Sequence, residues 1–171
     1  MYRKDYFSKE KLSSGRDPFI SKKIALKFTG PWEVNYLEKF KDKDFEYDFM
    51  EMPVPDNHQG PKYTYCDPKN IVIFNTCKNP QAAWEFVKTL IDKHGDLRLM
   101  EHSAQLPRRK NLDVDPYFHN YFAKNPKLIP FSKQAKYLRG VENCEVIVEV
   151  FDIISQEYEA CVIYNKKTPG H

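Results

Sequence analysis

Glycine is scarce in this chain, at six of 171 residues. The sequence holds no G-x-S-x-G, no P-loop and no G-x-G-x-x-G, which are patterns that set a nucleophile or a phosphate on a tight glycine turn. Among the carboxylates, Asp113 and Asp115 stand close together. Asp115 is explained as a helix cap, and no sequence feature assigns a catalytic role to Asp113. We therefore predict no catalytic residue and no cofactor.

Closely paired cysteines are also lacking. The four cysteines are widely spaced and form no C-x-x-C pair, and the five histidines show no ligand spacing. Structural zinc sites usually draw two ligands from one short turn, so no metal site is predicted. We expect the thiols to be buried, with one disulfide left open as an alternative if the chain is exported. The four are Cys66, Cys77, Cys144 and Cys161.

No apolar run is long enough to cross a membrane. The first 15 residues are polar and charged, so we predict no signal peptide here and interpret residues 1–17 as a polar leader. Met1 is then either a cytosolic start or the start of a truncated chain. The net charge of +3 is mild and its basic runs are short, which favours a solvated surface over nucleic-acid binding.

Aromatic residues, by contrast, are plentiful at 15% of the chain. They supply large buried areas and also form ligand-facing surfaces. The length suffices for one domain with a substantial core. Alternating strand and helix patterns predict an α/β fold.

In the first half, residues 23–28 (KIALKF) and 45–55 (FEYDFMEMPVP) predict strands, the second from its period of two. Pro31 suits a first helical position, and an apolar spacing of three predicts a helix from Trp32 to about Phe40. The proline-rich residues 53–62 predict a loop. The apolar run 70–74 (NIVIF) predicts a strand buried on both sides.

In the second half, Asn79-Pro80 predicts a helix start, and an apolar stripe continues towards Gly95, which we expect to end the helix. A second helix follows around Leu97 to Met100. Asp115-Pro116 repeats the cap-and-proline signal. The longest helix is predicted from about residue 146 to 164.

The order of these pieces resembles the C-terminal half of the extracellular solute-binding proteins of ABC importers, the sugar-binding group that includes maltose-binding protein. Two motifs support the resemblance: an aliphatic strand followed by Gly-Pro-Trp (residues 25–32), and a strand, short turn and helix reading A-A-W-E-F-V-K (residues 75–90). Leu106-Pro107 follows at the expected distance. The resemblance covers residues 18–169 and leaves 170–171 as a tail.

This resemblance implies part of a two-lobe clamshell of the type II periplasmic-binding-protein fold, truncated and holding pieces of both lobes. The intact protein would capture a carbohydrate without catalysis and deliver it to the permease subunits of an ABC importer. It would act in the periplasm or as a lipoprotein at the cell surface. The truncated chain is expected to self-associate, because its apolar faces would lack their partners.

The resemblance also implies that Trp32, just after Gly30 at a strand-to-helix corner, stacks on a sugar ring. An indole face suits the C–H face of a pyranose. The alternative is a Trp that packs beneath its own helix, against Leu37 and Phe40. Glu33 is interpreted as a first-turn acid that favours the helix dipole rather than as a ligand contact.

Residues 63–70 lack the glycines usual at this place in the resembling proteins, where the loop lines the cleft. Tyr63, Tyr65 and Asp67 are predicted to bind sugar hydroxyls there, because a carboxylate accepts two O–H donors at once. The alternative is an ordinary polar loop with a turn at Asp67-Pro68. Arg108 and Arg109 are expected in solvent.

Two other functions stay open at this point. One is a sugar-processing hydrolase with an acidic pair in an aromatic cleft. The other is a protein-interaction module that uses an aromatic surface.

Overall fold

The computed structural model describes residues 17–66, 68–141 and 144–168. It divides the chain into two units: Met1–Lys27 with Glu142–His171, and Phe28–Val141. The described helices are α1 (Glu33–Phe40), α2 (Pro80–Leu90), α3 (Lys93–Ser103), α4 (His119–Lys124), α5 (Ile129–Gln134) and α6 (Ile147–Tyr158). The described strands are β1 (Thr64–Tyr65) and β2 (Leu138–Arg139).

Short 3₁₀ turns flank α4 and α5 in the Phe28–Val141 unit. They span Pro116–Phe118, Pro126–Leu128 and Ala135–Tyr137. The first is capped as the sequence predicts, because the Asp115 carboxylate accepts the Tyr117 N–H at 3.0 Å. Proline opens both of the first two turns, where its missing N–H costs no hydrogen bond. The chain from residue 116 to 137 is therefore a series of short helical turns rather than one long helix.

The core of this unit lies between α1, α3 and these short turns. Phe118 is fully buried, and Met100 and Leu128 are each 1% exposed. Around them pack further buried residues, namely Val34, Ala104, Leu112 and Phe122. Helix-to-helix packing, rather than a sheet, therefore buries the apolar surface of the unit.

The three predicted strands are wrong. Residues 23–28, 45–55 and 70–74 form no strand, and the sheet of the described residues is one parallel pair of two-residue strands, with Thr64 beside Leu138 and Tyr65 beside Arg139. A strand needs a neighbour that takes up its N–H and C=O groups. The described part of the chain supplies none for these three segments. The predicted α/β class thus reduces to a mainly helical structure with a small sheet.

Residues 45–50 keep the predicted alternation without a ladder. Phe45 is buried and Tyr47 and Phe49 are half-buried, while Glu46 and Asp48 between them are exposed. Phe49 contacts Phe131 with ring centroids 4.8 Å apart, and Tyr47 contacts Phe49 edge-on at 5.6 Å. The period-two pattern therefore reports which side faces the helices and not whether a strand forms.

Tyr47 fixes this segment to α1. Its hydroxyl donates to Glu38 at 2.5 Å, and Lys127 lies 3.6 Å from the ring centroid while reaching Glu38 at 3.3 Å. The hydrogen bond from Tyr47 is the largest reason that the pKa of Glu38 is lowered, with Lys41 and Lys127 adding to it. Burial first, and then the Glu38 carboxylate, raise the pKa of Tyr47.

The predicted burial of residues 70–74 is also wrong. Phe74 is 74% exposed and Val72 66%. Helix α2 begins at Pro80 as predicted but has no buried residue, so its apolar stripe faces outward. Gly95 does not end it, because α2 ends at Leu90 and Gly95 lies in α3. There its N–H donates to the capping carboxylate of Asp92 at 2.7 Å.

The other unit is described over residues 17–27 and 144–168. Asp17 closes a turn by accepting the Phe19 N–H at 2.7 Å and pairs with Lys27 at 2.8 Å. Burial opposes ionisation here, but Lys27 and the backbone donors outweigh it and lower the pKa of Asp17. The predicted C-terminal helix is confirmed as α6, which continues into a π-helical turn at Glu159–Ile163.

All four cysteines are free thiols. Three are half-buried, but Cys144 is exposed, so its predicted burial is wrong. Among the described residues no cluster of three metal-ligating side chains occurs. Within the same ranges, no helix has both the length and the apolar character needed to span a bilayer.

The exposed apolar surface of α2 and residues 70–74 generates a first prediction. Apolar patches of this kind are rare in stable monomers, so the purified 171-residue chain should have a mass above the monomer in light scattering. The double substitution Phe74→Lys with Phe86→Lys should lower that mass. Val114→Lys, at a residue 71% exposed but outside these segments, is the matched control and should not. A strict monomer at all concentrations would contradict this expectation.

Candidate functional site

At the corner, residues 29–34, α1 begins at Glu33 with Trp32 as its N-cap, so Pro31 precedes the helix and does not take the predicted first helical position. The Glu33 and Val34 N–H groups donate to the carbonyls of Gly30 and Pro31 at 3.1 and 3.2 Å. Trp32 stands at the N-cap of α1, with helical φ and ψ and no capping side-chain bond. The corner is therefore a backbone turn that leaves the Trp32 side chain uninvolved in holding it.

The Trp32 indole lies against Gly30. A Cβ atom built on Gly30 would fall 1.9 Å from Cζ3 and 2.2 Å from Cη2 of the indole, far inside contact distance. Gly30 itself is buried, while Trp32 is 54% exposed. The missing side chain of Gly30 thus makes a shelf for one part of the ring, and the rest of the indole faces outward.

Glu33 points inward rather than towards a ligand. It is 7% exposed, and the Thr29 hydroxyl donates to its Oε2 at 2.7 Å. The carboxylate lies in the first turn of α1, as predicted, where the partial positive charge of the helix end favours it. Thr29 and Glu33 together fix the chain that enters the corner.

Tyr63 and Tyr65 flank the small parallel sheet. They are 51% and 62% exposed. The Arg139 guanidinium lies 4.6 Å from the Tyr63 ring centroid and donates to its hydroxyl at 3.3 Å. Tyr65 belongs to β1, and the following Cys66 N–H donates to the Arg139 carbonyl at 2.8 Å. Asp67, the third predicted member of this group, lies outside the described residues.

Gln134 positions this edge, a role that no sequence pattern predicted. Its side chain is buried, with Nε2 donating to the Lys62 carbonyl at 2.5 Å and Oε1 accepting the Met52 N–H at 3.0 Å. One amide therefore joins the two ends of the proline-rich loop, residues 53–62, to the end of α5. Nothing local in the sequence of α5 marks this glutamine, because its partners Met52 and Lys62 lie 82 and 72 residues away.

The loop at residues 106–112 is also held by a side chain that was expected in solvent. Arg109 forms an ion pair with the buried Asp96 and donates to the Ile91 carbonyl at 2.6 Å. Only Arg108 is exposed as expected. Arg109 is therefore structural: it ties the loop to the corner between α2 and α3.

The structure does not bring the predicted residues into one pocket. Among the described residues, no hydrogen bond or ring contact joins Trp32 to Tyr63 or Tyr65. A cavity of about 300 Å³ does exist in the Phe28–Val141 unit, but it lies between α1, α3 and α4 and none of the predicted site residues lines it. Three separate features thus stand out: the Trp32 shelf, the Tyr63–Tyr65 edge and this cavity.

Comparison with known proteins adds one match. A family model described as bacterial extracellular solute-binding protein matches residues 1–128. No curated protein matches the chain, and no solved structure does. The matched range includes the Gly-Pro-Trp corner, the Tyr63–Tyr65 edge and the whole of α2 and α3.

A second prediction concerns Gln134. Gln134→Ala should lower the free energy of unfolding by about 1 to 3 kcal/mol, because it removes the partners of the Met52 N–H and the Lys62 carbonyl. It should also speed hydrogen exchange of the Cys66 amide. The exposed neighbour supplies the control, Lys133→Ala, which should change neither. Unchanged exchange at Cys66 in Gln134→Ala would show that the amide does not position β1.

A third prediction concerns the shelf. In a Trp84→Phe background, where Trp32 is the sole tryptophan, Gly30→Ala should push the indole into solvent. Its fluorescence should shift to longer wavelength and become easier to quench. The stability cost should be no more than about 1 kcal/mol, because an exposed ring can change rotamer. Emission identical to that of the parent would mean that the ring does not rest on Gly30.

Proposed function

Because the chain belongs to the family of bacterial extracellular solute-binding proteins, we propose that the intact protein captures a carbohydrate outside the cytoplasmic membrane and delivers it to the permease of an ABC importer. Membership supports solute capture for transport, an ABC transporter as partner and an extracytoplasmic location. The carbohydrate, the absence of catalysis and the choice between a periplasmic and a lipid-anchored form are our proposals.

The observation that best supports a sugar is the Trp32 shelf. A stacking platform must hold its ring still and keep one face open, and an indole seated on a buried glycine meets both requirements. The apolar C–H face of a pyranose packs on such a ring, while the indole N–H stays free to donate. Holding the ring in place before binding also reduces the entropy lost on association.

We propose that Tyr63, Tyr65 and Asp67 supply hydroxyl contacts to the same ligand. The exposed phenols and the backbone pairing of β1 with β2 support this role for the tyrosines. Arg139 packs on the Tyr63 ring, and Tyr63 is still 51% exposed. The role of Asp67 rests on its chemistry and its position two residues after Tyr65.

We propose that the ligand is gripped between two lobes of a clamshell, and that residues 18–169 hold pieces of both. The extended segments 23–28, 45–55 and 70–74 support this, since strand-like sequences with no pairing partner among the described residues suit a larger sheet. In a clamshell, closure would bring the Trp32 shelf and the tyrosine edge to one ligand.

The fourth prediction tests the sugar and Trp32 together. The purified chain is screened on an array of mono- and oligosaccharides, and calorimetry follows on each sugar that binds. Trp32→Ala should weaken binding by about 1 to 3 kcal/mol, the usual range for loss of an aromatic anchor. Trp84→Ala is the matched control, since Trp84 is 44% exposed on α2, and it should leave affinity unchanged.

Two outcomes would contradict the proposal. A sugar array without a hit would argue against a carbohydrate ligand. Cleavage of a bound oligosaccharide on incubation would identify an enzyme instead. If sugar binds and Trp32→Ala lowers stability without changing affinity, the capture function stands and the role of Trp32 fails.

A further inference from the structure

The cavity between α1, α3 and α4 has an apolar floor. Its volume of about 300 Å³ lies at the lower end of the range for ligand pockets, about 300 to 1,000 Å³. Val34, Leu97, Met100, Ala104 and Leu128 form the floor. Four of them belong to the buried core and Leu97 packs against it, so the floor is preformed and matches an aliphatic group of modest size.

The rim of the cavity is polar and bears one charge of each sign. Glu101 comes from α3 and Lys124 from the end of α4. Both are exposed, and within the described ranges neither side chain forms a hydrogen bond or an ion pair. Asn35 and Asn120 also line the cavity, and their side-chain amides form no hydrogen bond to another described residue. The rim therefore offers one anionic and one cationic group together with neutral amides.

The hydroxyl of Tyr121, in contrast, already has a hydrogen-bond partner. Its hydroxyl donates to the Met100 carbonyl at 2.8 Å. Burial first, and then the charge of Glu101, raise the pKa of Tyr121 to about 12, so the hydroxyl stays protonated and keeps this bond at neutral pH. Tyr121 thus joins α3 to α4 beneath the rim and leaves the ligand contacts to the charged groups and the asparagines.

We propose that this cavity is a second binding site, distinct from the Trp32 shelf, which takes a free amino acid with an aliphatic side chain. Such a ligand has an ammonium group for Glu101, a carboxylate for Lys124 and an aliphatic group for the floor. A monosaccharide would neutralise neither charge. The inference goes beyond carbohydrate capture and does not depend on it.

The test uses the full chain with L-leucine as the probe, followed by calorimetry and by the NMR signal of the Met100 methyl group. Two analogues separate the charges: leucinamide lacks the carboxylate, and N-acetyl-leucine lacks the ammonium. Each analogue should bind about tenfold or more weakly than leucine, as expected for loss of a charge-assisted contact. D-glucose should not compete.

Two variants test the two charged contacts, one variant for each contact. Glu101→Gln should weaken leucine about tenfold and leave N-acetyl-leucine unchanged, because that analogue has no ammonium to lose. Lys124→Gln should weaken leucine and leave leucinamide unchanged. Glu46→Gln and Lys133→Gln are exposed controls outside the cavity and should change nothing. Circular dichroism checks that all four variants are folded, and Trp32→Ala should bind leucine normally.

Three results would overturn the proposal. The first is no binding of leucine. The second is equal binding of leucine and both analogues, each of which lacks one of the two charges, because that result would leave only an apolar cavity. The third is displacement of leucine by glucose together with loss of leucine binding in Trp32→Ala, which would merge the cavity with the sugar site. None of these results depends on whether the sugar array gives a hit, so this test and the test of the proposed function fail separately.

Discussion

The side-chain amide of Gln134 is the contact on which the outer part of the Phe28–Val141 unit depends. Extended chain is normally held by a ladder of backbone hydrogen bonds, but the described sheet has only two residues in each strand. The Gln134 side chain replaces part of such a ladder, because its amide donates one hydrogen bond and accepts another, as a peptide group does. The proline-rich loop and the Tyr63–Tyr65 edge are consequently held to the end of α5 by a side chain.

Helix positions were predictable where the signals are local. Proline located the start of α2 and, to within two residues, that of α1, although neither helix has a side-chain cap. The cap pattern located the turn after Asp115, because a cap acts within three or four residues. The strands failed for the opposite reason: a strand exists only when a distant partner pairs with it, and no window of sequence shows that partner. Residues 45–50 illustrate the difference, since their alternating burial was predicted correctly from the local pattern, whereas the predicted strand pairing is absent.

The features of the candidate site also separate into those that local sequence predicts and those that depend on tertiary packing. The exposure of Trp32 follows from its corner position and could be anticipated, whereas the fit of its ring on Gly30 depends on rotamer and packing. Arg109 looked like a surface charge because Asp96, its partner, lies 13 residues away. The cavity between α1, α3 and α4 could not be predicted from the sequence, because its lining residues come together only when the helices pack. Taken singly, they are ordinary core and surface residues.

The sequence separations of the Gln134 bonds have a consequence for the order in which the chain assembles. They span 82 and 72 residues, whereas the turns between residues 116 and 137 are built from contacts a few residues apart. Local contacts form early, and closing a long loop carries an entropy cost that must be met before its contacts stabilise anything. We therefore expect the helical segment to form as a nucleus onto which the tyrosine edge docks late, so that this edge is also among the first parts to open in the folded protein.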